Sequence, residues 1–109
     1  MKMLRFQTVV VSGNSMTPSF NSGDWLLFRS LRNQNHPGFQ QALVGHVVLV
    51  QRESKAGKDF LQIKRVTKVS KSGLWVEGDN QKESSDSRTW GYLKPHEVKA
   101  IFVLRFKKA

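Results

Sequence analysis

Apolar residues in this chain recur at every second position or in short unbroken runs, not at the three- and four-residue spacing of an amphipathic helix. Residues 6–12 are rich in β-branched side chains and stop at Gly13-Asn14, and residues 25–28 form an apolar run directly after the turn sequence Asn21-Ser22-Gly23-Asp24. Residues 47–51 follow Gly45 as a further strand. Residues 60–69 alternate, with Phe60, Gln62, Lys64, Val66 and Lys68 on one face and Leu61, Ile63, Arg65, Thr67 and Val69 on the other. Residues 74–77 make a short strand closed by Gly78-Asp79, and residues 98–106 make the last. Six short strands with Gly and Ser between them predict an all-β fold, a small and mostly antiparallel barrel or sandwich.

Helical signals are weak. Residues 15–20 and 95–98 suit one turn each, while residues 33–44, with Asn33, Asn35, Pro37 and Gly38, read as a loop. The polar run at 81–89 reads as a loop too. Without a repeat, linker or low-complexity tract, the 109 residues form a single domain spanning 1–109.

Composition removes several chemistries. The chain has no cysteine, which excludes disulfides, thiolate nucleophiles and thiolate metal sites. Its longest apolar runs, at 9–11, 47–50 and 100–104, fall well short of the roughly 18 residues that span a bilayer. Residues 1–11 lack the features of a secretory signal. The expectation is a soluble protein with no transmembrane segment, or one held at a membrane surface through charge. The net charge is +10. Residues 1–50 carry four basic residues against one acid, and residues 51–109 fourteen against seven. These charges are dispersed among apolar residues, a pattern that serves an anionic partner or plain solubility equally well.

Three constellations bear on chemistry. Ser15 lies in Ser12-Gly13-Asn14-Ser15-Met16-Thr17-Pro18, where a strand runs into a Gly-containing turn stiffened by Pro18. Such a turn exposes a hydroxyl and lets backbone N–H groups converge on an oxyanion; it also serves simply to join two strands. Lys64 interrupts an apolar strand face. Lysine rarely occupies such a face, and desolvation turns it toward the neutral amine that can take a proton from serine; an edge-strand lysine can instead snorkel to solvent. The three histidines, His36, His46 and His96, have no acidic residue at a spacing that marks a partner. Ala56-Gly57-Lys58 lacks the earlier Gly and following Ser/Thr of a phosphate loop.

Taken together, these segments resemble the signal peptidase I family of Ser/Lys proteases. Ser15-Met16-Thr17-Pro18, with Gly13 just before, resembles its S-M-x-P nucleophile box, and Gly23-Asp24 the Gly-Asp that follows. Gly45-His46-Val47-Val48 is similar to its Gly-Asp-x-Val strand, with His46 replacing Asp. Leu61 to Val66 resembles the box that supplies a lysine base. Gly78-Asp79-Asn80, Ser84, Asp86-Ser87-Arg88 and Gly91 match G-D-N-x-x-x-S-x-D-S-R-x-x-G. Gln81 stands where the family usually has Arg, and 109 residues leave no room for its large inserted β-domain.

The resemblance implies a fold, the catalytic core shared by signal peptidases and self-cleaving repressors. It also implies roles: Ser15 as nucleophile, Lys64 as general base and Ser84 orienting the amine. Gly13 occupies the place where many bacterial members have an oxyanion-binding serine, leaving backbone N–H groups to that task. Asp79, Asn80, Asp86 and Arg88 would support the site, and Met16 and Pro18 would contact substrate. No cofactor or metal is implied. The missing membrane anchor is most similar to the small soluble proteases that mature nickel-type superoxide dismutase, which implies a cytoplasmic enzyme and a protein substrate bearing an N-terminal leader. Three alternatives stand beside this reading. General preprotein processing at the membrane is one, with the protein peripheral there. A self-cleaving repressor domain is another, though its pattern lacks the G-D-N…S-x-D-S-R box. The third is a small basic nucleic-acid-binding barrel; no nucleic acid is expected on the protease reading.

Overall fold

The computed structural model describes residues 5–32, 37–53 and 61–109. Six strands, β1 (Phe6–Val10), β2 (Trp25–Ser30), β3 (Val47–Gln51), β4 (Leu61–Ser70), β5 (Gly73–Glu77) and β6 (Val98–Lys107), form one sheet in the order β1-β2-β6-β3-β4-β5. Every pairing is antiparallel, so the chain is all-β as expected, with the described strands joined in a single sheet.

That sheet buries both of its faces at the centre. Val48 and Val50 of β3 join Leu31, Leu43, Val66, Leu74, Val76, Leu93 and Val98 in one apolar cluster. Val47 and Leu49, pointing the other way, join Val11, Met16, Phe20, Leu26, Phe28 and Ala100 in a second. A strand covered on both sides has no use for polar residues, which explains why β3 reads as an unbroken apolar run.

Two sequence expectations give way here. Within residues 33–44, expected as loop, residues 37–42 form a helix, α1 (Pro37–Ala42); residues 33–36, including His36, lie outside the described residues. Proline is compatible with a helix in its first turn, and Phe39 and Leu43, four apart, both reach the first apolar cluster. Within the polar run 81–89, residues 81–83 form a 3-10 turn (Gln81–Glu83), and a short helix, α2 (Ser87–Trp90), begins at Asp86. The Asp86 side chain accepts the Arg88 N–H at 3.1 Å and so caps that helix.

The alternation of β4 is also interrupted. Lys64 and Val66 are both buried, as their shared face predicts. The register then slips at Thr67: Val66 faces Val76, but Lys68 faces Trp75. The extra residue carries Lys68 to the opposite face, where its ammonium lies 4.6 Å from the Trp75 ring centroid, and turns Val69 inward against the first cluster. Phe60, expected on the Lys64 face, lies outside the described residues, as does the segment Ala56-Gly57-Lys58.

Candidate active site

Beyond β1 the chain keeps its pairing with β2 for one more step, through Val11 N–H to the Asp24 carbonyl at 2.9 Å and Gly23 N–H to the Val11 carbonyl at 2.8 Å. It then breaks into turns. Gly13 takes φ +84°, a left-handed conformation that glycine adopts without strain. Thr17 returns both its N–H and its hydroxyl to the Asn14 carbonyl, at 3.2 and 3.0 Å, and Phe20 N–H bonds the Met16 carbonyl at 2.9 Å. Met16 is 1% exposed and plugs the second cluster, while Ser15 beside it stays half-buried at the surface. Residues 15–20 thus form hydrogen-bonded turns rather than a helix.

A second segment clamps this loop. Asn80 gives its N–H to the Ser15 carbonyl at 2.9 Å, and its side-chain amide bonds the Asn14 carbonyl and Thr17 Oγ1 at 3.0 and 2.9 Å. Asp79 N–H donates to Met16 Sδ at 3.4 Å. The Asp79 carboxylate takes a forked pair from Arg65 at 3.0 and 2.9 Å and a hydroxyl bond from Ser19 at 2.6 Å, and Arg65 holds it below the usual carboxylate range. Arg65, on the strand face opposite Lys64, is thereby ion-paired. Gly78 is required by space: a Cβ there would press on Ser84 Oγ and come within 2.7 Å of the Ser15 carbonyl oxygen.

Lys64 lies on the buried face of β4, 3% exposed. Its Nζ donates to Ser84 Oγ at 2.9 Å, and Ser84 in turn donates to Asp86 Oδ2 at 2.8 Å. Asp86, fully buried, also accepts the Gly78 N–H at 2.8 Å and two guanidinium bonds from Arg88 at 2.9 and 2.6 Å. Burial by itself would push the Asp86 carboxyl up; the bonds from Arg88, Gly78 N–H and Ser84 outweigh it and hold the group far below the carboxylate range. For Lys64, burial pushes the ammonium down from its ordinary 10.5, Asp86 opposes the shift and Arg88 adds to it. The ion pair belongs to Asp86 and Arg88, so among the described residues the lysine has a hydrogen-bond acceptor but no direct counter-ion.

The proton inventory of this chain is restrictive. Ser84 has one hydroxyl proton, and Asp86 takes it. Ser84 can therefore only accept from Lys64, and an amine held in this way keeps its remaining valences for the cleft.

That cleft, about 430 Å³, is lined by residues 9–16 and 61–64 together with Glu83 and Ser85. The fold thus brings Lys64 to the same concavity as Gly13 and Ser15, which lie far from it in the chain. Among the described residues no hydrogen bond joins Ser15 Oγ to Lys64 Nζ; their shared feature is this cleft. Met16 contributes to its wall although its side chain is core. Pro18 lines a separate hollow with Thr17, Asp79, Asn80, Gln81 and Lys82. Sequence reasoning did not single out Gln62, Glu83 or Ser85 as cleft residues; for Gln62 the signal was its place on the Lys64 face. The two described histidines stay apart from this site: His46 is exposed before β3, and His96 pairs with Glu53 at 2.7 Å. Among the described residues, no group of three His, Cys, Asp or Glu is placed to hold a metal ion.

A family model described as signal peptidase, peptidase S26, matches residues 52–106, half of the chain. The chain belongs to the signal peptidase S26 family. The S26 match spans Lys64, Ser84, Asp86 and Arg88, and it makes the protein a peptidase of the signal peptidase type, acting on protein. Ser15 lies before the matched residues. No curated protein matches the chain. Among the described residues, no helix is long and apolar enough to cross a membrane.

Proposed function

We propose that this S26 peptidase hydrolyses a peptide bond with Ser15 as nucleophile and Lys64 as general base. The observation that carries the reading is Lys64 itself, a buried amine with no direct counter-ion among the described residues, opening on the cleft that Ser15 lines. The substrate enters extended, beside a strand edge. Neutral Lys64, steadied through one N–H on Ser84, takes the Ser15 hydroxyl proton as Oγ attacks the carbonyl carbon. The oxyanion is met by the Ser15 N–H, in a loop whose Gly13 contributes no side-chain donor. Lys64 then protonates the leaving amine as the C–N bond breaks, leaving an acyl-enzyme ester. The amine next takes a proton from water, whose oxygen attacks the ester, and returns it to Ser15 as the acid product departs.

Asp86 and Arg88 act through Ser84: they fix its proton, and so the direction from which the lysine is held. Asp79 and Asn80 hold the nucleophile loop. The substrate class is a protein with an N-terminal leader, and the resemblance to nickel-type superoxide dismutase maturation proteases makes that precursor the first to try. The test is incubation with leader-bearing precursors, reading the new N-terminus by mass spectrometry. One defined cut is expected with the native protein and none with Ser15→Ala or Lys64→Ala; full activity in Lys64→Ala would sink the reading.

One observation favours the alternative of preprotein processing at a membrane surface. Phe6, Val10, Trp25, Leu104 and Phe106 are exposed on β1, β2 and β6, and Trp25 and Phe106 meet edge-on at 6.1 Å, with Arg29 and Lys107 on the same strands.

A further inference from the structure

Gln62 is the anomaly of the cleft. Its Oε1 is buried and has no hydrogen-bond partner among the described residues. Among the described residues, the fully buried polar side chains are all satisfied: Asp24 by Arg105 and two backbone N–H groups, Lys64 by Ser84, Asp86 by Arg88, Ser87 by Val76 N–H, and Glu97 by two backbone N–H groups. Buried acceptors left unpaired are rare, and each calls for a partner that the isolated chain does not supply.

Position explains what that partner is. Gln62 pairs with Val50 of β3 and shares a strand face with Lys64, two residues further on. Leucine or valine would fill this place, against a fully buried valine, without stranding an acceptor. Gln62 instead lines the same cleft as Ser15, beside the polar groups of Ser12, Glu83 and Ser85.

We propose that Gln62 determines specificity: by turning about its flexible side-chain torsions, its carbonyl leaves the buried place where it has no partner and accepts a hydrogen bond from a hydroxyl or amide on a substrate side chain that enters the cleft next to the scissile bond. This rests on the Ser15/Lys64 reading for the position of that bond. A site built around a buried acceptor discriminates against an apolar isostere of its ligand because the isostere leaves the acceptor unpaired. The peptidase therefore prefers threonine over valine, which match in shape, at one position before the cut.

The test uses three pairs of leader peptides, differing only in Thr or Val at the first, second or third residue before the cut. The native protein is expected to favour Thr about tenfold in kcat/KM at one of these positions. Gln62→Met should bring that ratio to about one. Gln62→Glu, which can only accept, should keep it, and this separates an acceptor from a flipped amide. A ratio of two peptides on one protein cancels any change in the amine base or in the folded fraction. The Ser15→Ala protein, with the same pairs in a binding titration, should give the same preference in Kd. A ratio near one at all three positions, a ratio unaltered in Gln62→Met, or its loss in Gln62→Glu would each overturn the role of Gln62. Cleavage that survives Ser15→Ala would overturn the dyad instead, and the Kd ratio would still decide the role of Gln62.

Discussion

Lys64 has two pH consequences of the same sign. Its folded pKa lies below the unfolded value, because burial and Arg88 disfavour the ammonium more than Asp86 favours it. Activity that needs the neutral amine rises with pH through the depressed pKa, and a flat or falling kcat/KM profile would contradict an amine base. Between the depressed folded pKa and 10.5 the unfolded chain binds more protons, so this group's contribution to stability also rises with pH across that window. Lys64→Met should therefore abolish cleavage while raising Tm near neutral pH, with a smaller gain at pH about 10. Paired thermal melts at the two pH values check the sign. Asp86 runs the other way. Its stabilisation is present above the unfolded value of 3.8 and lost as pH falls toward its much lower folded pKa. Asp86→Asn should cost about 3 kcal/mol by denaturant titration at neutral pH, since it leaves Arg88 and Gly78 N–H without their charged acceptor. It should also move the midpoint of any residual activity to lower pH, because Asp86 is the charge that raises the Lys64 pKa.

Elements decide whether those residues meet. The turn that carries Gly78 sits between Ser84 and the Ser15 carbonyl, closer to both than a methyl group allows. Gly78→Ala should cost about 2 kcal/mol and, on the proposed dyad, lower kcat/KM about a hundredfold, because the displacement falls on both Ser84 and the Ser15 loop; urea melts beside kinetics would separate the two effects. This junction was only partly legible in the chain. Short alternating runs revealed the strands, and Lys64 stood out because a cation on an inward face is expensive. Period two cannot announce a bulge, so the slip at Thr67 and the exchanged faces of Lys68 and Val69 were hidden. The helix at α1 was masked by Pro37 and Gly38, whose turn character hides the Phe39/Leu43 pair. The polar run at 81–89 was uninformative by pattern, because its structure comes from a single buried carboxylate that gathers donors from three segments. Its importance was legible only through the ordered boxes of the signal peptidase resemblance.

At the scale of the molecule, dispersed positive charge and an exposed apolar sheet end lead to different expectations for the two readings. A protease of soluble precursors has no need to touch lipid. A protease of membrane-proximal precursors would bind anionic vesicles, lose them as salt rises, and bind less with Trp25→Ser and Phe106→Ser while still cleaving short peptides. Cosedimentation with vesicles containing about 30% phosphatidylserine, at low and physiological salt, distinguishes them. The family match begins after the Ser15 loop; the hydrogen bonds from Asn80 to Asn14, Ser15 and Thr17 hold that loop to the matched part, beside the strand pairings of β2 and β3 with β6 and of β3 with β4.

Those same bonds make the site a single mechanical part. The segment from Gly78 to Arg88 holds the Ser15 loop with one end and Lys64 with the other, and between them lies the carboxylate that both ends need. Loosening either end lets the whole segment shift, so damage at the second end then finds less left to lose. In a double-mutant cycle, Asn80→Ala and Asp86→Asn should be strongly sub-additive in their effect on kcat/KM, with a coupling of about 1–2 kcal/mol despite lying in separate hydrogen-bond clusters. Strict additivity would mean that serine and lysine are positioned independently. Coupling would make 78–88 the one stretch through which a bound molecule, or a single substitution, could misalign both at once.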